Sequence, residues 1–160
     1  MKKKTSELVL ILPNIRSIHN VGSIFRTVES AGVRKIYLTG YTPRPVDEFG
    51  RVNKALAKVA LGAEKMVSWE YLRSTTSLIT KLKKLGFLIV ALEQSSQALN
   101  YRQIKLKTKT ALIVGEEVLG LSPKLLAQAD QIIEIPMRGQ KESLNVSVAT
   151  GIAVYALLGL

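Results

Sequence analysis

The residues best suited to chemistry lie in three polar stretches, each of which follows an apolar, strand-like run. They are NVGSIFRT at 20–27, GEEVLGLSP at 115–123 and IPMRGQKESLN at 135–145. An α/β sheet usually binds its ligand beyond the carboxyl ends of its strands, so these stretches are expected to meet there. Arg26 lies away from the apolar stripe of its own helix, and it is therefore free to reach an anion or a partner chain.

Several familiar catalytic patterns are missing from the sequence. No G-x-G-x-x-G follows a strand, and neither G-x-x-x-x-G-K-[ST] nor G-x-S-x-G is present. The one histidine, His19, has no serine and aspartate partners in its sequence context and is interpreted as a loop or cap residue. The carboxylates lack metal-ligand spacing, so no metal is expected. Dinucleotide enzymes, P-loop enzymes, hydrolases and metalloenzymes are disfavoured.

The composition indicates a basic protein. Lys and Arg number 23 against 12 Asp and Glu, which gives a formal net charge of +11. Such a surplus raises the local concentration of polyanions, and nucleic acid is the obvious class of partner, although net charge also serves solubility. The chain contains no cysteine, which is compatible with the cytoplasm as its compartment.

Neither apolar segment near the ends of the chain is interpreted as a membrane or export signal. The five apolar residues at 8–12 are too few for a signal-peptide core, and they are predicted to form a first buried strand. The charge-free tail at 143–160 barely reaches spanning length and is interpreted as a buried core or interface helix.

Five short apolar runs rich in Val, Ile and Leu predict β-strands, at 8–12, 35–40, 87–92, 110–115 and 131–136. Helical patterns lie between them, at 20–31, 52–62, 69–85 and 122–129. Strands and helices alternate, and the strands are apolar on both faces. This pattern is typical of an α/β fold in which a parallel sheet carries helices on both faces.

The helix at 20–31 has the clearest pattern. Apolar residues recur at i, i+3, i+4 and i+7 from Val21, and Gly32 follows as a stop signal. Asn20 is predicted to be the N-cap, next to the positive end of this helix.

The chain is predicted to form a single domain over residues 1–160. No low-complexity linker, internal repeat or shift in composition marks a second one, and the basic start at 1–6 is expected to be flexible. The longest irregular stretch, 40–53, contains two prolines and two arginines. A long basic loop in a compact domain is often functional, although a solvated connection explains it equally well.

Taken together, the three polar stretches resemble the motifs of the SpoU family, the TrmH-like branch of the SPOUT RNA methyltransferases. The first matches N-x-G-x-x-x-R-T, the second matches G-x-E-x-x-G-L, and the third matches the family's IPM…G…SLNVS pattern. The resemblance runs from about residue 8 to residue 158, and the order and spacing of the motifs agree. The chain looks like a minimal member without an added RNA-binding domain at its N-terminus.

The resemblance implies a fold that composition alone does not reveal. Members of this family have an α/β fold with a deep C-terminal trefoil knot, in which the C-terminal segment threads through an earlier loop. They bind S-adenosylmethionine in the knot and usually form homodimers. A charge-free C-terminal helix is what such a buried dimer interface needs.

The resemblance also implies which residues form the site. Arg26 would be the central catalytic residue, acting in its own site or in that of a partner subunit. The other catalytic candidates are Asn20, Glu117, Ser143 and Asn145. The cofactor candidates are Leu92, Gly115, Ile135, Met137, Ser143 and Leu144. Glu117 would orient Arg26 or neighbouring backbone, and Asn145 also suits the cap of the last helix.

The implied reaction is methyl transfer from S-adenosylmethionine to a ribose 2′-hydroxyl of RNA. Arg16, Arg44 and Arg51, together with lysine-rich runs, are expected to bind the RNA backbone. Few aromatic residues accompany the lysine runs, so no stacking platform is evident there. Transfer RNA is the favoured substrate. Ribosomal RNA and a non-enzymatic RNA-binding role that keeps the fold are the alternatives.

Overall fold

The computed structural model describes residues 6–107 and 109–160 of the chain. The predicted flexible start therefore lies outside the described residues, except for Ser6. Seven strands form one sheet in the order β3-β2-β1-β6-β4-β7-β5, and every neighbouring pair is parallel. The strands are β1 Glu7–Pro13, β2 Lys35–Thr39, β3 Ser68–Leu72, β4 Leu88–Leu92, β5 Leu99–Asn100, β6 Lys109–Val114 and β7 Gln131–Glu134.

Six α-helices cover the sheet within the described ranges. They are α1 Ile18–Ser30, α2 Lys54–Ala60, α3 Ala63–Met66, α4 Thr75–Lys84, α5 Pro123–Gln128 and α6 Val146–Leu158. A short 3₁₀ helix spans Tyr101–Gln103. Helices α1, α2, α3 and α6 contribute to one apolar cluster, whereas α4 and α5 pack on the other. The predicted parallel sheet with helices on both faces is confirmed.

Strand β1 shows why the central strands are apolar throughout. Leu8, Leu10 and Leu12 belong to one apolar cluster, while Val9 and Ile11 belong to the other. Successive side chains of a strand point to opposite faces, so a strand between two helical layers must bury every side chain. The five strands predicted from apolar runs are all present.

The predicted helix at 69–85 is wrong in its first part. Residues Ser68–Leu72 form β3, an edge strand paired with β2, and the helix α4 begins only at Thr75. Its N-cap is Ser74, whose hydroxyl accepts a hydrogen bond from the Ser77 N–H. Because β3 is only half-buried, its sequence SWEYL lacks the continuous apolar run of the central strands.

The predicted helix at 52–62 is shorter than expected. Helix α2 ends at Ala60, and the separate turn of α3 follows from Ala63. Leu61 between them has a positive φ of 52°, which interrupts the regular helix.

The prediction that Asn20 caps the first helix is also wrong. Helix α1 begins at Ile18, and the hydroxyl of Ser17 accepts the backbone N–H of Asn20. Asn20 instead lies in the first turn and is buried, which leaves its side-chain amide available for contacts outside the helix. The predicted apolar face of α1, which starts at Val21, is fully buried as expected.

Helix α6 has two different faces. Val146, Thr150, Ala153, Val154 and Leu157 are buried, on the side of the helix that packs against the rest of the domain, including α1. On the other side, Val148 and Tyr155 remain 51% and 39% exposed. The helix carries no charge, so its outer face presents an apolar surface to solvent. No helix within the described ranges is both long and apolar enough to cross a membrane.

Candidate active site

A cavity of about 310 Å³ lies at the carboxyl ends of β4, β6 and β7. This is the edge at which a parallel sheet is expected to bind its ligand. Two segments line most of it. They are the 115–121 turn, which follows β6, and the 135–145 loop, which follows β7 and leads into α6. Leu92, Glu93 and Gln94, at the end of β4, form a third side.

Glu117 connects the 115–121 turn to the start of α1. Its carboxylate accepts hydrogen bonds from the backbone N–H groups of Arg16 and Ser17 and from Nδ2 of Asn20, each at 3.1 Å. These donors belong to a segment about 100 residues earlier in the chain. Glu117 therefore orients neighbouring backbone, one of the two roles considered for it, and the geometry assigns it no contact with Arg26.

The hydrogen-bond chain continues from α1 to α6. Nδ2 of Asn145 donates to Oδ1 of Asn20 at 3.1 Å. The Asn145 side-chain oxygen accepts the backbone N–H of Ser147 at 2.9 Å, which makes Asn145 the N-cap of α6. Glu117, Asn20 and Asn145 thus form one polar network that joins β6, α1 and α6 behind the cavity.

The network changes the acidity of Glu117. Burial favours its neutral form, but the N–H groups of Glu117 itself and of Arg16, the Asn20 amide and the Ser17 N–H together outweigh burial and lower its pKa below the ordinary glutamate value. Glu117 is therefore a carboxylate near neutral pH, and it acts as an acceptor that holds the loop geometry.

Glu93 is a residue of the site that the sequence analysis missed. Its Oε2 accepts the backbone N–H of Leu121 at 2.8 Å, and a side chain at Gly120 would collide with this carboxylate. Gly120 has a positive φ of 65°. Glu93 thus joins the end of β4 to the 115–121 turn. Glu93 directly follows Leu92 at the end of a predicted strand, and this position could have identified it as a residue of the site.

Gly115 is required by close packing. A Cβ at this position would lie 2.8 Å from the Cα and carbonyl carbon of Gly120 and 2.9 Å from the nitrogen of Leu121. These are backbone atoms, so they cannot move aside as a flexible side chain can. The turn folds back on itself at a glycine because only a glycine leaves enough room.

The 135–145 loop has fewer contacts with the rest of the protein than the 115–121 turn has. Nε2 of Gln94 donates to the Ile135 carbonyl at 3.5 Å, and Asn145 contacts Asn20 at the other end. Between these ends most residues are exposed. A Cβ at Gly139 would meet no atom within 4 Å.

The cavity is acidic although the protein is basic. Five of the 12 acidic residues of the chain line it: Glu93, Glu116, Glu117, Glu134 and Glu142. Among the described residues, no lysine or arginine is part of the lining. The rest of the lining is mainly aliphatic, with Leu92, Val114, Ile135 and Leu144 among its members. A site of this kind suits a ligand that combines an apolar or aromatic portion with positive charge.

All six residues predicted to bind a cofactor line this cavity: Leu92, Gly115, Ile135, Met137, Ser143 and Leu144. Of the predicted catalytic residues, Glu117 and Ser143 also line it, and Asn20 and Asn145 lie directly behind. Arg26 is exposed on α1 and, in the described part of the chain, is not part of the cavity lining. No group of metal-ligating side chains is present within residues 6–107 and 109–160.

The three arginines predicted to bind RNA lie near the same sheet edge, and each has a partner within the chain. Arg16 lies 3.8 Å from the Glu116 carboxylate. The guanidinium of Arg44 stacks 4.3 Å above the ring of Tyr71. Arg51 pairs with Asp47 at 2.7 Å.

The sequence profile of the SpoU rRNA Methylase family matches residues 7–155. The match covers nearly the whole chain, and it agrees with the three motifs and with a site at their meeting point. The protein belongs to the SpoU rRNA Methylase family. The resemblance inferred from the motifs is thereby confirmed.

Two relatives and one solved structure define the likeness further. The chain is 35% identical over 155 residues to the tRNA (guanosine(18)-2′-O)-methyltransferase of Aquifex aeolicus, covering 97% of this chain and 70% of the relative. It is 34% identical over 154 residues to the 23S rRNA (guanosine-2′-O-)-methyltransferase of Coxiella burnetii, covering 96% of this chain and 59% of the relative. The crystal structure of an AdoMet-bound rRNA methyltransferase from Sinorhizobium meliloti superposes with a TM-score of 0.85 at 27% identity, covering 94% of this chain and 55% of that one.

Proposed function

We propose that this protein is an RNA methyltransferase that transfers a methyl group from S-adenosylmethionine to a ribose 2′-hydroxyl. The observation that carries the proposal is the acidic, aliphatic cavity at the carboxyl edge of the sheet of a chain with a net charge of +11. The cavity fits a cationic cofactor, while the basic surface fits a polyanionic substrate. Family membership and the names of the relatives support the same reaction.

The residues of the cavity fit S-adenosylmethionine by their chemistry. Leu92, Ile135 and Leu144 offer apolar surface for the adenine, and the backbone at Gly115, which also lines the cavity, offers polar groups. The surrounding carboxylates complement the positive charge of the sulfonium and of the amino group. When bound, the cofactor supplies an activated methyl group. We assign the six lining residues named above, including Met137 and Ser143, to its binding.

The protein's own contribution is orientation and charge. We propose that Arg26 grips a phosphate beside the target ribose, and that an oxygen of this phosphate takes the proton of the 2′-hydroxyl. The guanidinium would then stabilise the negative charge that develops on the 2′-oxygen as the methyl group is transferred. A guanidinium stays charged, and its fork matches phosphate oxygens. Glu117, Asn20 and Asn145 hold the turns in place, and Ser143 lies at the cavity mouth to contact the substrate.

We also propose a homodimer that forms through the outer face of α6. Val148 and Tyr155 supply exposed apolar surface there. Gly151 packs against α1 next to Arg26, because a Cβ on it would lie 3.3 Å from Cγ2 of Thr27. Arg26 is thus exposed beside this apolar face, outside its own cavity. A two-fold partner seated on α6 would bring Arg26 to the partner's cavity.

A mixing experiment tests this assignment. Leu144→Trp, at a partly exposed position, is expected to fill the cavity and abolish cofactor binding without disturbing the core. Mixing it with Arg26→Ala should restore roughly a quarter of the wild-type activity, since half of the dimers at random pairing contain one complete site. Zero activity in the mixture, with mixed dimers demonstrated by mass, would place Arg26 in its own subunit's site instead.

The fold is proposed to include the deep trefoil knot of the SPOUT enzymes. Family membership supports it. The topology is compatible, because β4 lies between β6 and β7, and the segments that follow these two strands both close over the end of β4.

Transfer RNA is the substrate we favour. The relative from Aquifex aeolicus is named for tRNA and is matched over a larger share of its length than the rRNA enzyme from Coxiella burnetii. Ribosomal RNA is the second candidate because relatives of similar identity are named for it. An enzyme of either kind would act in the cytoplasm.

Radiolabelled methyl transfer to unfractionated tRNA and to ribosomal RNA, in separate reactions, tests the function. Label that leaves the adjoining phosphodiester bond resistant to alkali would identify 2′-O-methylation. Arg26→Ala should abolish turnover while cofactor affinity stays unchanged, and Arg34→Ala, an exposed arginine at the opposite edge of the sheet, is the matched control. Full binding of cofactor and RNA with no transfer to either pool would favour a non-enzymatic RNA-binding factor.

A further inference from the structure

The loop at 40–53, which follows β2, exposes two aromatic rings at the edge of the sheet that carries the cavity. Tyr41 is 56% exposed and Phe49 is 74% exposed. Large aromatic side chains are usually buried or at interfaces, so two exposed rings on one loop call for an explanation. We name this segment the aromatic loop.

The start of the aromatic loop is rigid. Thr42 is buried, and its hydroxyl donates to the Leu12 carbonyl at 2.7 Å and accepts the Ile15 N–H at 3.0 Å. The backbone N–H of Tyr41 donates to Oδ1 of Asn14 at 3.2 Å. These bonds fix Tyr41 against the end of β1, so its ring is presented to solvent by a preorganised backbone.

The tip of the loop is organised by Asp47. One oxygen of its carboxylate accepts the backbone N–H groups of Phe49 and Arg51, each at 2.9 Å, and the other pairs with Nε of Arg51. This arrangement holds the Arg51 guanidinium 5.0 Å from the centre of the Phe49 ring. A cation and an exposed ring are thus displayed together, which suits a phosphate and its neighbouring base.

The aromatic loop is connected to the cavity through Arg16. Nε of Arg16 lies 3.8 Å from the Glu116 carboxylate, and interactions with Tyr41 and Glu116 raise the pKa of Arg16. Glu116 itself lines the cavity. The aromatic loop follows β2 and the 115–121 turn follows β6, and only β1 lies between these two strands. At ~4.8 Å between neighbouring strands, the two segments therefore start about 10 Å apart. Nucleotides stacked at roughly 3.4 Å each would cover that distance in about three steps.

We infer that Tyr41 and Phe49 form a stacking platform for unpaired nucleobases of the RNA, within a few nucleotides of the methylated ribose. The inference rests on the proposed function. Arg51 lies over the Phe49 ring, Arg16 interacts with Tyr41, and Arg44 belongs to the same loop. These three cations attract phosphates, while the rings accept the base faces. Bases within an RNA duplex are already stacked on their neighbours, so the platform selects a loop or another single-stranded segment.

Equilibrium binding of unfractionated tRNA at several salt concentrations tests the platform. The double variant Tyr41→Leu, Phe49→Leu should raise the Kd at least about thirtyfold, since two bases lose the rings on which they stack. Because no charge is lost, the slope of log Kd against log salt should stay unchanged. Arg44→Gln is the contrasting variant, and it should lower that slope by about one.

Two matched variants control for side effects. Tyr41→Phe, Phe49→Tyr keeps both rings and should bind tRNA like the unaltered protein. Met66→Ala removes a side chain of similar exposure, 72%, on α3, and should also have no effect. The Kd for S-adenosylmethionine should be unchanged in every variant, because none of these residues lines the cavity.

Failure of this inference is separable from failure of the proposed function. If the unaltered protein methylates RNA, and the leucine variant binds tRNA as tightly and has the same KM for it, the platform is overturned and the function stands. If no RNA is methylated, the binding measurement still decides the platform by itself. The platform is also overturned if the leucine variant changes the slope of log Kd against log salt and leaves the Kd at a fixed salt concentration unchanged. An unaltered protein that binds no RNA overturns it as well.

Discussion

The 115–121 turn and the 135–145 loop line the same cavity, but they are held very differently. In the turn, the Glu116 carboxylate accepts the N–H groups of Val118 and Leu119, and Glu117 and Glu93 tie the turn to β1–α1 and to β4. The loop has contacts chiefly at its two ends. One side of the cavity is therefore formed before a ligand arrives, whereas the other side can adjust to it.

The difference has a chemical reason. A methyl donor must be aligned with its acceptor, which requires a fixed surface on at least one side. It must also enter and leave a cavity that encloses it, which requires a movable surface on another. Under the proposed function the two segments would divide these tasks, and substitutions in each should have opposite consequences.

The largest effect is expected for Gly115→Ala in the fixed turn. The new methyl group would press on the backbone of Gly120 and Leu121, and such overpacking costs about 1–3 kcal/mol. The Tm should fall by about 2–12 °C at ~2–4 °C per kcal/mol. The Kd for S-adenosylmethionine should rise more than about tenfold as the turn moves. Calorimetry of unfolding and of binding would measure both, and wild-type values for both would contradict the packing described above.

A smaller effect is expected for Glu93→Ala. It leaves the Leu121 N–H without its acceptor, a loss of about 1–2 kcal/mol for a partly buried bond to a charged group. Glu93→Gln keeps an acceptor oxygen and should recover most of the stability. We expect the KM for S-adenosylmethionine to rise in the alanine variant with little change in kcat. An equal loss in both variants would mean that charge, rather than the hydrogen bond, is what matters.

The acidity of Glu117 gives a third, pH-dependent test. Its folded pKa is lowered, so its contribution to stability is complete above the ordinary value of about 4.3 and is lost as the pH falls through the folded value. The difference in unfolding free energy between wild type and Glu117→Gln should therefore be constant above about pH 5 and shrink below about pH 4. Urea unfolding from pH 3.5 to 7 measures it. If this difference in unfolding free energy is the same at every pH, Glu117 does not contribute to the pH dependence of stability.

The smallest effect is expected for Gly139→Ala in the movable loop. A Cβ there meets nothing within 4 Å, so stability should be unchanged or should rise by about 0.4–1 kcal/mol through the stiffer unfolded chain. The Tm difference between this variant and Gly115→Ala is the direct measure of the contrast between the two segments. If the Kd for S-adenosylmethionine rises without any loss of stability, Gly139 is needed for a close approach of the loop to the cofactor.

Much of the fold was predictable because the burial of central strands and amphipathic helices is visible in the pattern of apolar residues in their sequence. The apolar run of β6, buried from Thr110 to Val114, can belong only to the interior. β3 was misread because an edge strand is buried on neither face completely, and SWEYL therefore carries no strong period. β5 has two residues, too few for any pattern to form.

The sequence predicted which residues lie together at the cavity, but it did not predict the hydrogen bonds that connect them. The six cofactor candidates do line one cavity. By contrast, the bond from Asn20 to Asn145 joins residues 125 positions apart, and no local pattern encodes such a distance. For the same reason Asn20 was misassigned as an N-cap, because the chemistry of an asparagine beside a helix start suits a cap equally well.

That long-range network also sets when the site can exist. Asn20 reaches its partner only when Asn145 is present, so no fragment that ends before Asn145 can complete the network. At ~5–20 residues per second, a ribosome takes about 6–25 s to add those 125 residues. During that time the early strands can pair, but the cavity stays unfinished. Non-local closure of this kind slows folding, and the polar network is complete only after Asn145 has been synthesised.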